Sequence, residues 1–125
     1  MGIKLSSHKV EEGYLVLEVS GDVNDADELK LLAKQYCDEI SKQNAKKIII
    51  DERKVKFLIS VINQTEEVKS YDENLPSDIR TWKIAVVPDL KYKKLIDFWG
   101  LYVNNRGYPW KVFYSMEEAH KYISE

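Results

Sequence analysis

The chain is short of the residues that staple or break a fold. It has one cysteine, Cys37, so no disulfide can close within it. Cys37 sits among apolar residues in a helical pattern and reads as a small core residue. A lone thiol fits a reducing compartment, and the expected location is cytoplasmic. With only three prolines and five glycines, collagen-like and linker-like sequences are excluded. The glycines are scattered singly, so no phosphate-cradling loop is present. No run approaches the ~18 apolar residues of a membrane span. The opening Met1-Gly2-Ile3-Lys4-Leu5-Ser6-Ser7 has no apolar signal region. An excess of one charge is also missing: 19 basic residues face 21 acidic ones, for a net charge of −2. A nucleic-acid binder usually shows a basic excess or stripe, so no nucleic-acid partner is expected. The densest basic cluster, Lys91, Lys93 and Lys94, reads as a solvated helix face.

What the 125 residues do contain is enough for one core: 44% are hydrophobic, with three Trp, eight Tyr and three Phe. That length fits a single domain, 1–125, and the aromatic content excludes disorder. Residues 3–10 alternate loosely, Gly13 supplies a turn, and Tyr14-Leu15-Val16-Leu17-Glu18-Val19 suits a pleated, buried surface. Together they predict a β-hairpin stopped by Gly21. Asp25 and Glu28 have capping-box spacing, and Ala26, Leu29, Ala33, Tyr36 and Ile40 recur with helical period. Lys47-Ile48-Ile49-Ile50-Asp51 holds a short continuous apolar run of the kind found in buried parallel strands. Residues 55–62 are apolar without a clean period, and Asp72-Glu73-Asn74-Leu75-Pro76-Ser77 reads as an exposed connection. Trp82-Lys83-Ile84-Ala85-Val86-Val87 predicts a strand closed by Pro88. Tyr92, Leu95, Trp99 and Tyr102 predict a helix ended by Gly107 as a left-handed cap. Trp110-Lys111-Val112-Phe113-Tyr114 predicts a last strand, and Ser115 with Glu118 caps a terminal helix. Helices and strands alternate after the hairpin, so the fold class is α/β with a largely parallel sheet.

Catalytic and metal chemistry finds little to stand on. A nucleophile needs a base beside it, and the two histidines, His8 in the hairpin and His120 in the terminal helix, both read as surface residues rather than partners of Cys37. Asp22, Asn24, Asp25 and Asp27 look calcium-like. However, the sixth place of that loop is Asp27 instead of Gly, and the twelfth is Ala33 instead of Glu. Asp51 ends a strand as a receiver phosphoacceptor would, but no Lys follows the last strand in the required place. Asp51 with Arg53 reads as an ion pair. The pairs Glu11-Glu12, Glu66-Glu67 and Glu117-Glu118 are adjacent, so they diverge and cannot share a proton. No metal, no cofactor and no enzymatic activity are expected.

Several short stretches resemble the SpoIIAA-like, STAS-related family. They are Lys83-Ile84-Ala85-Val86-Val87-Pro88, Phe98-Trp99, Asn104-Asn105-Arg106-Gly107, Val112-Phe113 and Glu117-Glu118-Ala119, with Asp51-Glu52-Arg53-Lys54-Val55 matching a "D-x-R-x-V" pattern. The resemblance implies a single-domain sandwich: a mixed, mostly parallel sheet opened by the hairpin, with about four helices packed mainly on one side. In STAS proteins that act as anti-sigma-factor antagonists, a Ser at a helix start after the third strand is phosphorylated, and this breaks binding to a partner kinase. The matching position here is Ser60. The family pattern has Asp before that Ser, and this chain has Ile59 before it and Val61-Ile62 after it, so the phosphoswitch motif is not clear. A Ser at such a position is first of all a helix cap, worth about 1 kcal/mol.

Two functional readings follow. In the first, the chain is a non-enzymatic, cytoplasmic STAS-like interaction or regulatory domain. It binds a protein partner, or a second copy of itself, around residues 57–65, with Ser60, Phe57, Asn63 and Thr65 as contact or modification residues. The alternative is a small-molecule or lipid-binding module. It would use an aromatic surface of Trp99, Tyr102, Tyr108 and Trp110, more rings than a small core comfortably hides, although the same rings also read as a C-terminal core with aromatic edges.

Overall fold

The opening residues pair as their alternation predicts. β1 (Lys4–Lys9) runs antiparallel to β2 (Leu15–Val23), with Lys9 opposite Leu15. Gly21 does not stop β2 but lies inside it. At φ +127° a Cβ would sit 2.8 Å from the Gly2 carbonyl oxygen, so only glycine lets the leading segment cross here. These features come from a computed structural model that describes residues 2–10, 13–60, 65–66 and 68–125. Asn63, Val61, Ile62, the Glu11-Glu12 pair and Glu67 of the Glu66-Glu67 pair lie outside the described residues.

After the hairpin the order is α1 (Ala26–Lys42), β3 (Lys47–Phe57), α2 (Tyr71–Asn74), β4 (Lys83–Pro88), α3 (Lys93–Asn105), β5 (Trp110–Val112) and α4 (Met116–Ser124). Both expected caps form: the Glu28 amide donates to Asp25 Oδ1 at 2.9 Å, and the Glu118 amide to Ser115 Oγ at 3.3 Å. The stretch read as an exposed connection holds α2 and a 3-10 turn (Ser77–Thr81). Tyr71 just before that stretch and Ile79 just after it are buried, and they anchor the polar residues between them.

Among the described residues the strands form one sheet in the order β1-β2-β3-β4-β5, with every pair after the first parallel. Parallel strands laid down one after another in one direction, through right-handed crossovers, place all their connecting helices on the same face. So α1, α2 and α3 cover one face. α4 follows the last strand, crosses to the other face, and packs Ala119 and Ile123 on Ile49, Ala85 and Val87. Ile48, Ile49 and Ile50 are each 0% exposed, because β3 is buried on both sides.

β3 runs through Phe57, well past the predicted Asp51. Opposite it, Glu18 pairs with Asp51 but Ser20 pairs with Lys54, so β3 contains one extra residue. This β-bulge reverses the inward parity. Ile48 and Ile50 face the helices before it, and Val55 and Phe57 face them after it. The irregular period of residues 55–62 therefore begins in a strand whose phase has slipped.

The aromatic residues also fall differently from the expected surface. Tyr108 and Trp110 are 3% and 2% exposed, while Trp99 and Tyr102 are half-buried. Rings attract rings: Trp110 lies 5.2 Å from Tyr71, 5.4 Å from Trp99 and 5.7 Å from Tyr108, centroid to centroid. The four residues do not form one open patch. Three of them, with Tyr71, build the interior between α2, α3 and the sheet.

Candidate functional site

Two places gather chemistry, both toward the C-terminal ends of the parallel strands, where open α/β sheets bind ligands. The first is the rim. Phe57 ends β3 and is buried, packed edge-on against Tyr92 with centroids 5.4 Å apart. It is therefore a support, and cannot be the exposed contact expected of it. That contact joins the end of β3 to the 3-10 turn Leu90–Tyr92 that follows β4. Asp89 shapes this turn by accepting from the Lys91 amide at 3.0 Å. Beside it stand two exposed leucines, Leu58 at 59% and Leu90 at 63%. Leu58 is held in place by its amide, which donates to the Val23 carbonyl at 2.7 Å. Ser60 is exposed two residues further on, and Thr65 is half-buried. Nothing in the sequence marks Leu58 or Leu90. Both are ordinary apolar residues there, and only the fold leaves them uncovered.

The second place is a cavity of about 40 Å³ between the sheet and helices α1 and α3. Its walls are Leu29, Leu32 and Tyr36 of α1, Tyr71 of α2, and Ile96 and Trp99 of α3. The sheet contributes Glu52, Phe57, Val86 and Trp110. Glu52 is the buried charged residue of the described core, at 7% exposure, and its Oε2 accepts from the Tyr36 hydroxyl at 2.5 Å. Burial pushes the Glu52 carboxyl up to about 7, partly opposed by the Tyr36 hydrogen bond and reinforced by the charge of Asp51. Glu52 fills the first of the two unspecified positions of the "D-x-R-x-V" match. The signal that could have found it is its parity, since it follows Ile48 and Ile50 on the helix-facing side of β3.

Other candidates separate. Asp51 faces away from the cavity. Burial raises its carboxyl, but hydrogen bonds from Arg53 Nε at 2.9 Å and Nη2 at 2.8 Å outweigh this and hold it below the usual range. Cys37 is buried in α1, and burial pushes its thiol up to about 12. His8 is exposed beside Glu18 at 3.7 Å, and His120 of α4 bonds the Tyr14 hydroxyl, so both histidines lie across the sheet from Cys37. Asp25 is spent on its cap. No group of three or more His, Cys, Asp or Glu side chains gathers as a metal site among the described residues. Tyr108 donates to Asp72, which also accepts from Arg80 at 3.0 Å, while the Arg80 guanidinium lies 4.4 Å over the Tyr108 ring. This cluster pins α2 to the last turn before β5.

An anti-sigma factor antagonist from Mycobacterium paratuberculosis, known from its crystal structure, superposes with a TM-score of 0.63 over 99% of this chain and 96% of that one, at 14% identity. The chain has the STAS fold. No family model and no curated protein matches the sequence. On the STAS fold, the rim after β3 and the Glu52 cavity occupy one end of the molecule, joined through Phe57, which supports the first and lines the second. No helix among the described residues is long and apolar enough to cross a membrane.

Proposed function

We propose that the chain is a cytoplasmic regulatory domain of the anti-sigma factor antagonist kind, which acts by binding a protein rather than by catalysis. Its partner surface is the rim: Leu58, Ser60 and Thr65 after β3, with Leu90 after β4. The observation that carries this reading is the pair of uncovered leucines beside an exposed serine, on a fold shared along its whole length with such an antagonist. Leucines more than half exposed at a strand end do nothing for the core, and they suit the apolar centre of a small interface. A phosphate on Ser60 would put roughly −1.5 to −2 charge beside that apolar contact and weaken it.

The test is affinity capture of an anti-sigma-factor-like partner from cells of the source organism, followed by titration of the purified pair. Leu58→Glu, Leu90→Glu and Ser60→Glu should each weaken the complex at least tenfold without changing the circular dichroism. Leu101→Glu, 65% exposed on α3 in the native chain, should leave it intact. Equal binding by wild type and all three rim variants would overturn the proposal. A homodimer using the same rim would appear in light scattering as a mass that the same three variants halve.

A further inference from the structure

Glu52 has an acidic side chain where the fold gives it no counter-charge. No lysine, arginine or histidine lines its cavity among the described residues. One carboxyl oxygen accepts from Tyr36, and the other has no donor among the described residues. A buried carboxylate with neither cation nor full hydrogen bonding is costly, and the bulge in β3 adjoins the residue in that position. Around it stand the rings of Tyr36, Phe57, Tyr71, Trp99 and Trp110. The volume of about 40 Å³ is roughly three times the ~10–15 Å³ that one water needs. Trp99 is the described wall residue that is not fully buried, so the way in from solvent runs past its ring.

We propose that this cavity binds a small organic ammonium ion, a primary or methylated amine on a short apolar tail. Glu52 would supply the counter-charge, and Tyr71, Trp99 and Trp110 the aromatic surroundings. A carboxylate within an aromatic cage is the chemistry that recognises such cations. An anionic ligand would meet the Glu52 charge, and a wholly apolar one would leave the second oxygen unpaired. A metal ion would find one carboxylate and a phenol. The site adjoins the rim through Phe57 but uses none of the partner-contacting residues Leu58, Ser60, Thr65 and Leu90.

The probe is n-propylammonium chloride, with 1-propanol as its neutral counterpart, followed by amide and indole NMR shifts of the full chain. The titratable groups lining the cavity with Glu52 are Tyr36 from α1 and Tyr71 from α2, and Asp51, its neighbour on β3, acts on it only by charge from the other face of the sheet. α3 and β5 present the uncharged Trp99 and Trp110. The expected result is saturable shifts of the Trp99 and Trp110 indoles, with at least tenfold tighter binding than 1-propanol. The affinity should rise with pH to a plateau above about 7, where Glu52 is ionised. Glu52→Gln should lose at least tenfold. Absence of saturable indole shifts, equal binding of the alcohol, or unchanged binding by a folded Glu52→Gln would overturn the proposal. Should that variant not fold, the ammonium-to-alcohol ratio across pH in the wild type decides alone.

Discussion

Asp51 and Glu52 are neighbours on one strand and have opposite fates. Asp51 projects to the α4 side of the sheet, beyond the patch that the short terminal helix covers, where Arg53 reaches it and water remains close. Glu52 projects to the side covered by three crossover helices, with Tyr36 as its hydrogen-bond donor. The first carboxyl is held below its ordinary range and the second is driven well above it. The cause is topological. Strands added in sequence through right-handed crossovers build a thick layer on one face and leave the other to a nine-residue helix. Sequence adjacency says little about environment when the residues alternate across a sheet.

The contrast can be broken most severely by opening the thick face. Trp110→Ala removes a ring in contact with Tyr71, Trp99 and Tyr108, and should cost about 3–5 kcal/mol in denaturant unfolding. Next comes Glu52→Gln. Because the folded pKa of Glu52 lies above its ordinary value of 4.5, the folded state holds that proton more tightly than the unfolded state. Its contribution is full at low pH and is lost as pH rises through about 7. The stability of the Gln variant relative to wild type should therefore grow between mildly acidic and mildly basic pH, by on the order of 3 kcal/mol. Asp25→Ala, which uncaps the helix that carries Tyr36, should cost about 1 kcal/mol, read as a fall in melting temperature.

Asp51→Asn has the smallest expected effect and the opposite sign of pH dependence. The lowered carboxyl stabilises the fold above its ordinary pKa, and that contribution is lost as pH falls through the folded value. Arg53 stays more than half exposed although Asp51 itself is mostly covered, so solvent screens the pair from one side and the substitution should cost under about 1 kcal/mol at neutral pH. A larger loss than from Asp25→Ala would show that the thin face holds more than its geometry indicates.

Much of the fold was legible in the chain. The capping pairs Asp25–Glu28 and Ser115–Glu118 and the Ile48-Ile49-Ile50 run are local signals, and the structure holds them where spacing put them. The second half of β3 was not legible, because the extra residue between Asp51 and Lys54 breaks the two-residue period that marks a strand. The aromatic residues allow two readings, a C-terminal core with aromatic edges or a partly exposed patch, and the chain alone does not separate them. Tyr108 and Trp110 become interior only once Tyr71 arrives from a segment whose polar composition suggests a surface loop. Glu52 was hidden twice over, by its polarity and by its place beside the bulge. Leu58 and Leu90 acquire meaning only when β3 and β4 are side by side.

The most direct measurement is a carbon-detected NMR titration of the side-chain carboxyls, with Asp51 and Glu52 resolved in one experiment. The account predicts a Glu52 midpoint near 7, while Asp51 titrates below the ordinary aspartate value of 3.8. A Glu52 midpoint among the surface glutamates, near 4.5, would contradict it and remove the basis for a cation site in the cavity.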